Sequence, residues 1–490
     1  MDISLQLDKH SAIPLYQQIY RQLRPLILNG ALPAGSRLPA TRRLAAVHSI
    51  ARVTVLQAYE QLEVEGFVEG RTGAGTYVAH NLPVNGRQWP LPAKPEPFQP
   101  SLSGWGTQLT NRPPHPQCHH PFEIDFTPGR IRATGFPYDL WRRTMSRVLN
   151  NGDDLLACNS SAAGYKPLRE AIASHLMRQR GVQCQPEQIV MVSGAQQTLD
   201  ILARLLLQSG NEVLVETPGN RAAYRLLQAH GAQLSPLPVD DAGFPVSAIP
   251  TESRARLALV TPAHQFPHGG PLPLPQRLAL LAWAKRQQAL IIEDDTDGDL
   301  RYGERPLTAL QGLDENGHVV YLGDLSKLMF PALQLGYVVL PMSLKRPFIH
   351  AKRLLHGNTP LHNQVAVADF MREGHFETHL RQLRHVYQKR WETLTTALDK
   401  HIGDKVCFSR VAGGTHLLVY LPEGVDERAV VRETAVCGVG VTPGAPYHLQ
   451  KTAPPSILLS FSGVAEAEIE EGVRRLAGVL GQLVNPEMTR

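Results

Sequence analysis

From Asp125 onward the chain alternates short, mostly apolar runs with amphipathic stretches, and this alternation restricts the fold more than any other feature. Ile189–Val192, Glu212–Val215, Leu257–Val260, Leu290–Glu293, Val319–Leu322 and Gly336–Leu340 are the runs. Pro167–Arg178, Gln196–Leu207, Arg221–His230 and Pro275–Gln287 carry helical spacing between them. Strands that read as continuous apolar runs are covered on both faces. Such strands alternating with helices predict a doubly wound α/β core. The stretch from about Trp391 reads as a smaller α+β part. We therefore expect one unit over 123–490, with a large subdomain to about 390 and a small one from 391. A chain of 490 residues is too long for one core, so a further domain is expected ahead of it.

That domain is legible from Pro14. Leu15, Ile19, Leu23 and Leu26-Ile27 form a helical stripe closed by Gly30, with Pro25 expected to kink it or loosen its last turn. Thr41 is placed to cap a second helix bearing Leu44, Ala45 and Val47. A turn through His48-Ser49 leads to a third, Ala51 to Glu65, with Val55, Ala58, Tyr59 and Leu62 inward. Two β-prone runs, Phe67–Glu69 and Thr76–Val78, then flank a Gly-rich loop and predict a hairpin. Three helices and a hairpin make a winged helix-turn-helix. The net charge of +5 is too mild to imply nucleic acid, but its distribution is not: Lys9 to Tyr59 holds six arginines and no acid. In this plan Arg52 and Thr54 open the helix that enters the major groove. Arg37, Arg42 and Arg43 face phosphates, and the small wing tip with Gly75 and Thr76 lets backbone approach a groove. Double-stranded DNA is the expected partner.

Residues 81–122 are rich in Pro, Gln, Gly and Trp without periodicity, and read as a semi-extended tether on which Trp89 and Trp105 are candidate anchors. Five scattered cysteines without metal-ligand spacing fit a reducing cytoplasm. The His119-His120 pair is not expected to bind metal. No secretion signal or membrane-length apolar run is present in the sequence.

Over residues 11–80 the sequence resembles the DNA-binding domain of the GntR regulators, above all in LPAGSRLPATRRLA and TVLQAYEQLEVEG. The family's Gly in the helix-turn-helix turn is Ser49 here, and Pro25 is unusual. Beyond the tether, Gly164–Glu170, Ser193–Gln197, Thr261–Pro267, Glu293–Asp295 and Ser326-Lys327 follow one another as in fold-type-I aminotransferases. The version they resemble is that of the MocR/GabR-type regulators. The resemblance implies pyridoxal 5'-phosphate, with Lys327 as its imine-forming lysine. It also implies Asp294 on the pyridine nitrogen, Gly194, Ala195 and Gln196 as a helix N-terminus for the phosphate, and Ser326 and His264 in the cofactor site.

Five positions depart from that pattern. Asn220 stands where a ring-stacking aromatic is usual, Thr296 for Tyr, Asp324 for Ser, Gln334 for Arg, and Leu458 for the Arg that clamps a substrate carboxylate. Gln cannot replace a bidentate, charged Arg–phosphate contact. An Asp charge about 4 Å from a phosphate charge costs roughly 4 kcal/mol at an effective dielectric of 20. The expectation is a DNA-binding transcription regulator whose aminotransferase-like domain binds the cofactor, an amino-compound effector, or both, as a sensor rather than an enzyme. Two alternatives stay open from sequence: a pocket that no longer takes the cofactor, and a working aminotransferase with a DNA-binding arm. Fold-type-I sites normally form at a dimer interface, so a homodimer is expected.

Overall fold

A computed structural model describes residues 3–80, 100–110, 122–129, 131, 135–150, 157, 161–250, 252–303, 307–450 and 453–484. Trp89, most of the tether's prolines, His119-His120, Cys118 and Cys158 lie outside the described residues. The chain falls into two compact units, residues 1–101 and 102–490.

The first unit has helices α1 (Leu15–Leu28), α2 (Thr41–Val47) and α3 (Arg52–Val64), followed by strands β1 (Val68–Arg71) and β2 (Gly75–Val78). β1 and β2 pair antiparallel, Val68 opposite Val78 and Arg71 opposite Gly75. The four residues expected inside α3 are buried, and they pack with Ile19, Leu23, Leu44 and Leu5. α1 runs through Pro25 to Leu28. Thr41 is the first helical residue rather than the cap: Ala40 holds the cap position, without a side-chain bond. The Thr41 hydroxyl instead accepts from Arg52 Nε at 3.3 Å. Ser49 adopts a left-handed φ of 51°, which explains why glycine is usual there, and Lys9 Nζ donates to its carbonyl at 3.0 Å. A side chain in that region costs roughly 1–2 kcal/mol, part of which glycine gives back through the freer unfolded chain. Ser49→Gly is therefore expected to stabilise this unit by about 1 kcal/mol, read as slower amide exchange in α2 and α3 of the full chain.

The second unit is built on a seven-stranded sheet. Its strands are β4 (Ile189–Val192), β5 (Glu212–Thr217), β6 (Gln233–Pro238), β7 (Leu257–Val260), β8 (Leu290–Asp294), β9 (Val319–Asp324) and β10 (Gly336–Val339), in the order β4-β10-β9-β8-β7-β5-β6. β10 runs antiparallel to both neighbours and the other strands share one direction. β4 and β7 are buried along their whole length. β6 was not expected from sequence. It is an edge strand, carries Pro236 and Pro238, and buries only Leu237, so it shows no apolar run. A second sheet gathers β11 (Cys407–Phe408), β12 (His416–Tyr420), β14 (Thr442–Pro443) and β15 (Ser456–Ser460) in the order β11-β12-β15-β14. Between them in sequence, β13 (Val439–Gly440) pairs with β3 (Ile124–Asp125) in parallel. The boundary expected at 390/391 falls inside one helix, His375–His401. Within the expected tether Gly104–Thr110 is helical and Trp105 is exposed. No helix among the described residues is long and apolar enough to cross a membrane.

This topology brings the carboxyl ends of β4, β5, β7, β8 and β9, and the start of β10, to one edge of the sheet. Open α/β sheets bind ligands along that edge.

Candidate functional site

Lys327 lies in the short helix Leu325–Leu328 that follows β9 directly. Asp324 caps this helix, its carboxylate accepting from Ser326 N at 2.7 Å and Lys327 N at 3.3 Å. Burial pushes the Asp324 carboxyl above its ordinary range, against those bonds. The carboxylate expected to repel a phosphate is thus engaged in holding the lysine's helix. Asn220 likewise caps the helix Arg221–Ala229, accepting from Ala222 N at 3.0 Å and Ala223 N at 3.3 Å. Gln334 sits at a left-handed φ of 50° and donates to Pro331 O at 3.1 Å. Three of the five departures therefore perform local structural tasks.

β8 delivers the acids. Glu293 is fully buried and accepts from Leu310 N at 2.7 Å and Gln311 N at 2.8 Å. Asp295 accepts two bonds from Arg180, at 2.8 and 2.9 Å, and one from Tyr321 at 2.6 Å. These anchors pin the turn after β8, so that Asp294, Thr296, Asp297 and Gly298 line a cavity of about 100 Å³ with Lys327, His264 and Asn220. Burial pushes the Asp294 carboxyl up, opposed by the Thr296 hydrogen bonds and by Lys327.

Lys327 Nζ stands 2.5 Å from Asp297 Oδ1. Burial alone would raise the Asp297 carboxyl, but Lys327 with His416 and His264 holds it below the ordinary range. His264 is buried and its Nε2 has no hydrogen-bond partner among the described residues. Burial holds its imidazole down to about 4, with Asp297 working the other way and Lys327 adding to the depression. His416, whose ring meets that of His264 edge-on at 5.8 Å, is held down to about 3, again chiefly by burial. Both rings are neutral near pH 7. A β-carbon at Gly414 would run into His264, which fixes the glycine there. Thr261, on the same cavity wall, is held by buried Glu216, which accepts from Thr261 N at 3.1 Å and Thr261 Oγ1 at 2.5 Å.

Of the residues expected at a cofactor, Lys327, Asp294 and His264 meet in this cavity. Ser326 lines a second cavity of about 310 Å³, which shares Lys327 and Phe266 with the first. Its hydroxyl accepts from Leu335 N at 2.7 Å and donates to Leu335 O at 3.1 Å. Gly194, Ala195 and Gln196 open the helix Ala195–Leu206 at the end of β4 and line neither cavity. They lie one strand away: a β-carbon on Gly336 would sit 3.3 Å from Gly194 Cα, and Gly336 pairs with Asp324. Nothing stands within 4 Å of a β-carbon placed on Gly194, so the helix N-terminus has open space before it. Sequence reasoning missed Asp297, although it lies three residues past Asp294. It also missed His416, brought in by β12 with no local signal. No group of three or more His, Cys, Asp or Glu among the described residues is placed to hold a metal ion.

In the first unit Arg37, Arg42, Arg43 and Arg52 are exposed. The Arg52–Thr41 contact joins the start of α3 to the start of α2, so Arg42, Arg43, Arg52 and Thr54 share one end of the two helices. Arg37 crosses to the wing, where its guanidinium lies 6.0 Å from the Tyr77 ring centre and a β-carbon on Gly75 would be 3.0 Å from its Nε. Arg71 stacks on the same ring at 4.7 Å. It adds a wing cation that the sequence reading overlooked beside Gly75 and Thr76.

Comparison with known proteins finds two family matches in the chain. Residues 141–476 match the family described as aminotransferase class I and II, and residues 15–78 match bacterial regulatory proteins of the gntR family. The chain is 34% identical over 477 residues to a probable rhizopine catabolism regulatory protein, MocR, of Rhizobium meliloti, covering 96% of this chain and 95% of the relative. It is 28% identical over 481 residues to the pyridoxine biosynthesis regulator PdxR of Corynebacterium glutamicum, covering 96% and 99%. Among solved structures it resembles LysN, the α-aminoadipate aminotransferase of Thermus thermophilus, crystallised with N-(5'-phosphopyridoxyl)-L-leucine. The TM-score is 0.70 at 28% identity, over 74% of this chain and 93% of that one.

Proposed function

The chain belongs to the aminotransferase class I and II family and carries a gntR-type DNA-binding domain ahead of it, and from that premise we propose that ligand binding beside Lys327 sets how tightly the winged helix holds DNA. The protein is a transcription regulator of the MocR/GabR type with pyridoxal 5'-phosphate as the cofactor of its aminotransferase-like domain. The cavity chemistry fits that cofactor. It offers a primary amine on Lys327, a buried carboxylate on Asp294 and the His264 Nε2, unpartnered among the described residues, while the Gly194 helix N-terminus lies one strand away.

In our reading Lys327 would hold the cofactor through its amine, Asp294 would pair with its ring nitrogen, and the N–H groups of Gly194, Ala195 and Gln196 would receive its phosphate with help from the helix dipole. When bound, the cofactor supplies an electrophilic carbon that captures amines. Asp297 holds the Lys327 amine in place, and the anchored Asp295 turn holds Asp294 and Asp297 in register. The observation that carries the sensor reading is a contrast within one site. The attachment lysine and ring carboxylate are present, while the positions that would clamp phosphate or carboxylate with charge are Gln334 and Leu458. A homodimer presenting two winged helices to two half-sites completes the proposal.

The test is duplex binding by the full chain, using an operator selected from a random DNA pool, with and without pyridoxal 5'-phosphate. Arg52→Ala is expected to lose about 1–3 kcal/mol on the operator and to relax sequence choice there. Arg43→Ala should weaken all duplexes alike and lower the salt slope by about 1. If both variants bound as the parent does, this surface would not be the DNA contact.

A further inference from the structure

Helix α3 carries apolar side chains on both of its faces. Val55, Ala58, Tyr59 and Leu62 enter the core of the first unit. Val53, at 57% exposure, and Leu56, at 40%, point the other way. Three residues apart, these two share one face and stand roughly 4.5 Å apart along the helix axis. A solvated helix turns polar residues outward, so a valine and a leucine side by side on the outer face mark a contact surface.

The charges around the pair say what covers it. Val53 and Leu56 lie within one turn of exposed Arg52, whose Nε donates to Thr41 Oγ1 at 3.3 Å, and exposed Arg42 follows Thr41. Farther along α3 the sign reverses. Residues 52–59 hold no acid, whereas Glu60, Glu63 and Glu65 follow. Glu63 accepts from Gly70 N at 2.9 Å and Glu65 from the Tyr20 hydroxyl at 2.5 Å, while Glu60 is exposed. A polyanion is attracted to the first half of the helix and repelled by the second. The apolar pair sits in the attracting half. Cations around an apolar centre match a DNA groove, where phosphates form the rim and base edges the floor. On that floor, in the major groove, the apolar group is the 5-methyl of thymine.

We propose that Val53 and Leu56 read thymine 5-methyl groups in the major groove, on base pairs one or two steps apart. This rests on the DNA-binding reading of α3 above and names the base feature that the helix recognises. The spacing follows from the helix: about 4.5 Å between the two side chains spans a little more than one base-pair rise of about 3.4 Å. Contacts from Arg42 and Arg43 to phosphates position the helix and carry no sequence information, whereas contact with a methyl group separates T·A from the other pairs.

The test uses the full chain and an operator selected from a random duplex pool. Each thymine is replaced in turn by uracil, which deletes one methyl group and keeps every hydrogen-bonding atom. Uracil at two positions, one or two base pairs apart, is expected to weaken binding by the parent about fourfold each, the factor that burial of one carbon carries. Val53→Ala should lose the sensitivity at one of these positions and Leu56→Ala at the other. Both sites are exposed and alanine favours helix, so the variants keep the fold. Val64→Ala, at an 89% exposed position in the acidic half of α3, should respond to uracil as the parent does. Binding that is indifferent to uracil at every position, or a sensitivity that both variants keep, overturns the proposal and leaves the apolar face to a protein surface. Failure of the DNA-binding reading shows separately, as Arg43→Ala and Arg52→Ala variants that bind the operator as the parent does.

Discussion

Arg180→Met is expected to cost the second unit about 3–5 kcal/mol of stability, because it leaves a carboxylate buried without its partner. Arg180 and Asp295 are each about 1% exposed at the side chain, and the guanidinium makes two bonds to the carboxylate. The Tyr321 hydroxyl completes the set. Asp295 also has fully buried Glu293 and Asp299 as neighbours of like charge, against which Arg180, ahead of the Tyr321 hydroxyl, keeps it ionised. Replacing both partners by apolar groups removes the orphaned charge, so Arg180→Met/Asp295→Leu should regain more than half of the loss. Urea unfolding followed by tyrosine and tryptophan fluorescence measures all three proteins. A single-variant loss under about 1 kcal/mol would mean that water reaches Asp295. The same variant should weaken cofactor retention, because the turn that Asp295 anchors also carries Asp294 and Asp297 into the cavity.

How much of this was readable in the sequence follows from what each residue is asked to do. β4 and β7 are covered on both faces, so Ile189–Val192 and Leu257–Val260 show as unbroken apolar runs with the same bounds in sequence and structure. β6, at the edge with two prolines, gave no such signal. Lys327 stood out because its surroundings are local: an apolar strand before it and another soon after. The unusual residues Asn220, Asp324 and Gln334 were visible as departures, but their work was not. Helix capping by Asn220 and Asp324 depends on where the helix begins, and Thr41 shows how easily that is misjudged by one position. His416 could not be associated with Lys327 from sequence at all, since β12 comes from a different sheet.

Lys327→Ala is expected to abolish the absorption band that pyridoxal 5'-phosphate gives with the parent, at cofactor concentrations that saturate it, and to make operator affinity indifferent to the cofactor. The substitution also changes the electrostatics in a way that can be measured separately. In the parent Asp297 is 2.5 Å from the ammonium and held below its ordinary range by it. His264 and His416 are depressed first by burial, with Lys327 adding to the depression and Asp297 opposing it. Removing the lysine deletes an influence that lowers both imidazoles and leaves the one that raises them. It leaves Asp297, buried at 7% side-chain exposure, without the cation that sits 2.5 Å from it in the parent. Both histidines should therefore titrate at higher pH in the variant than their parent values of about 4 and about 3. Nitrogen-15 NMR of labelled histidine reads the two shifts directly. Unchanged titration with a lost band would mean that Lys327 holds the cofactor but not Asp297. A retained band would place the attachment on another amine, and the role assigned to Lys327 would fall.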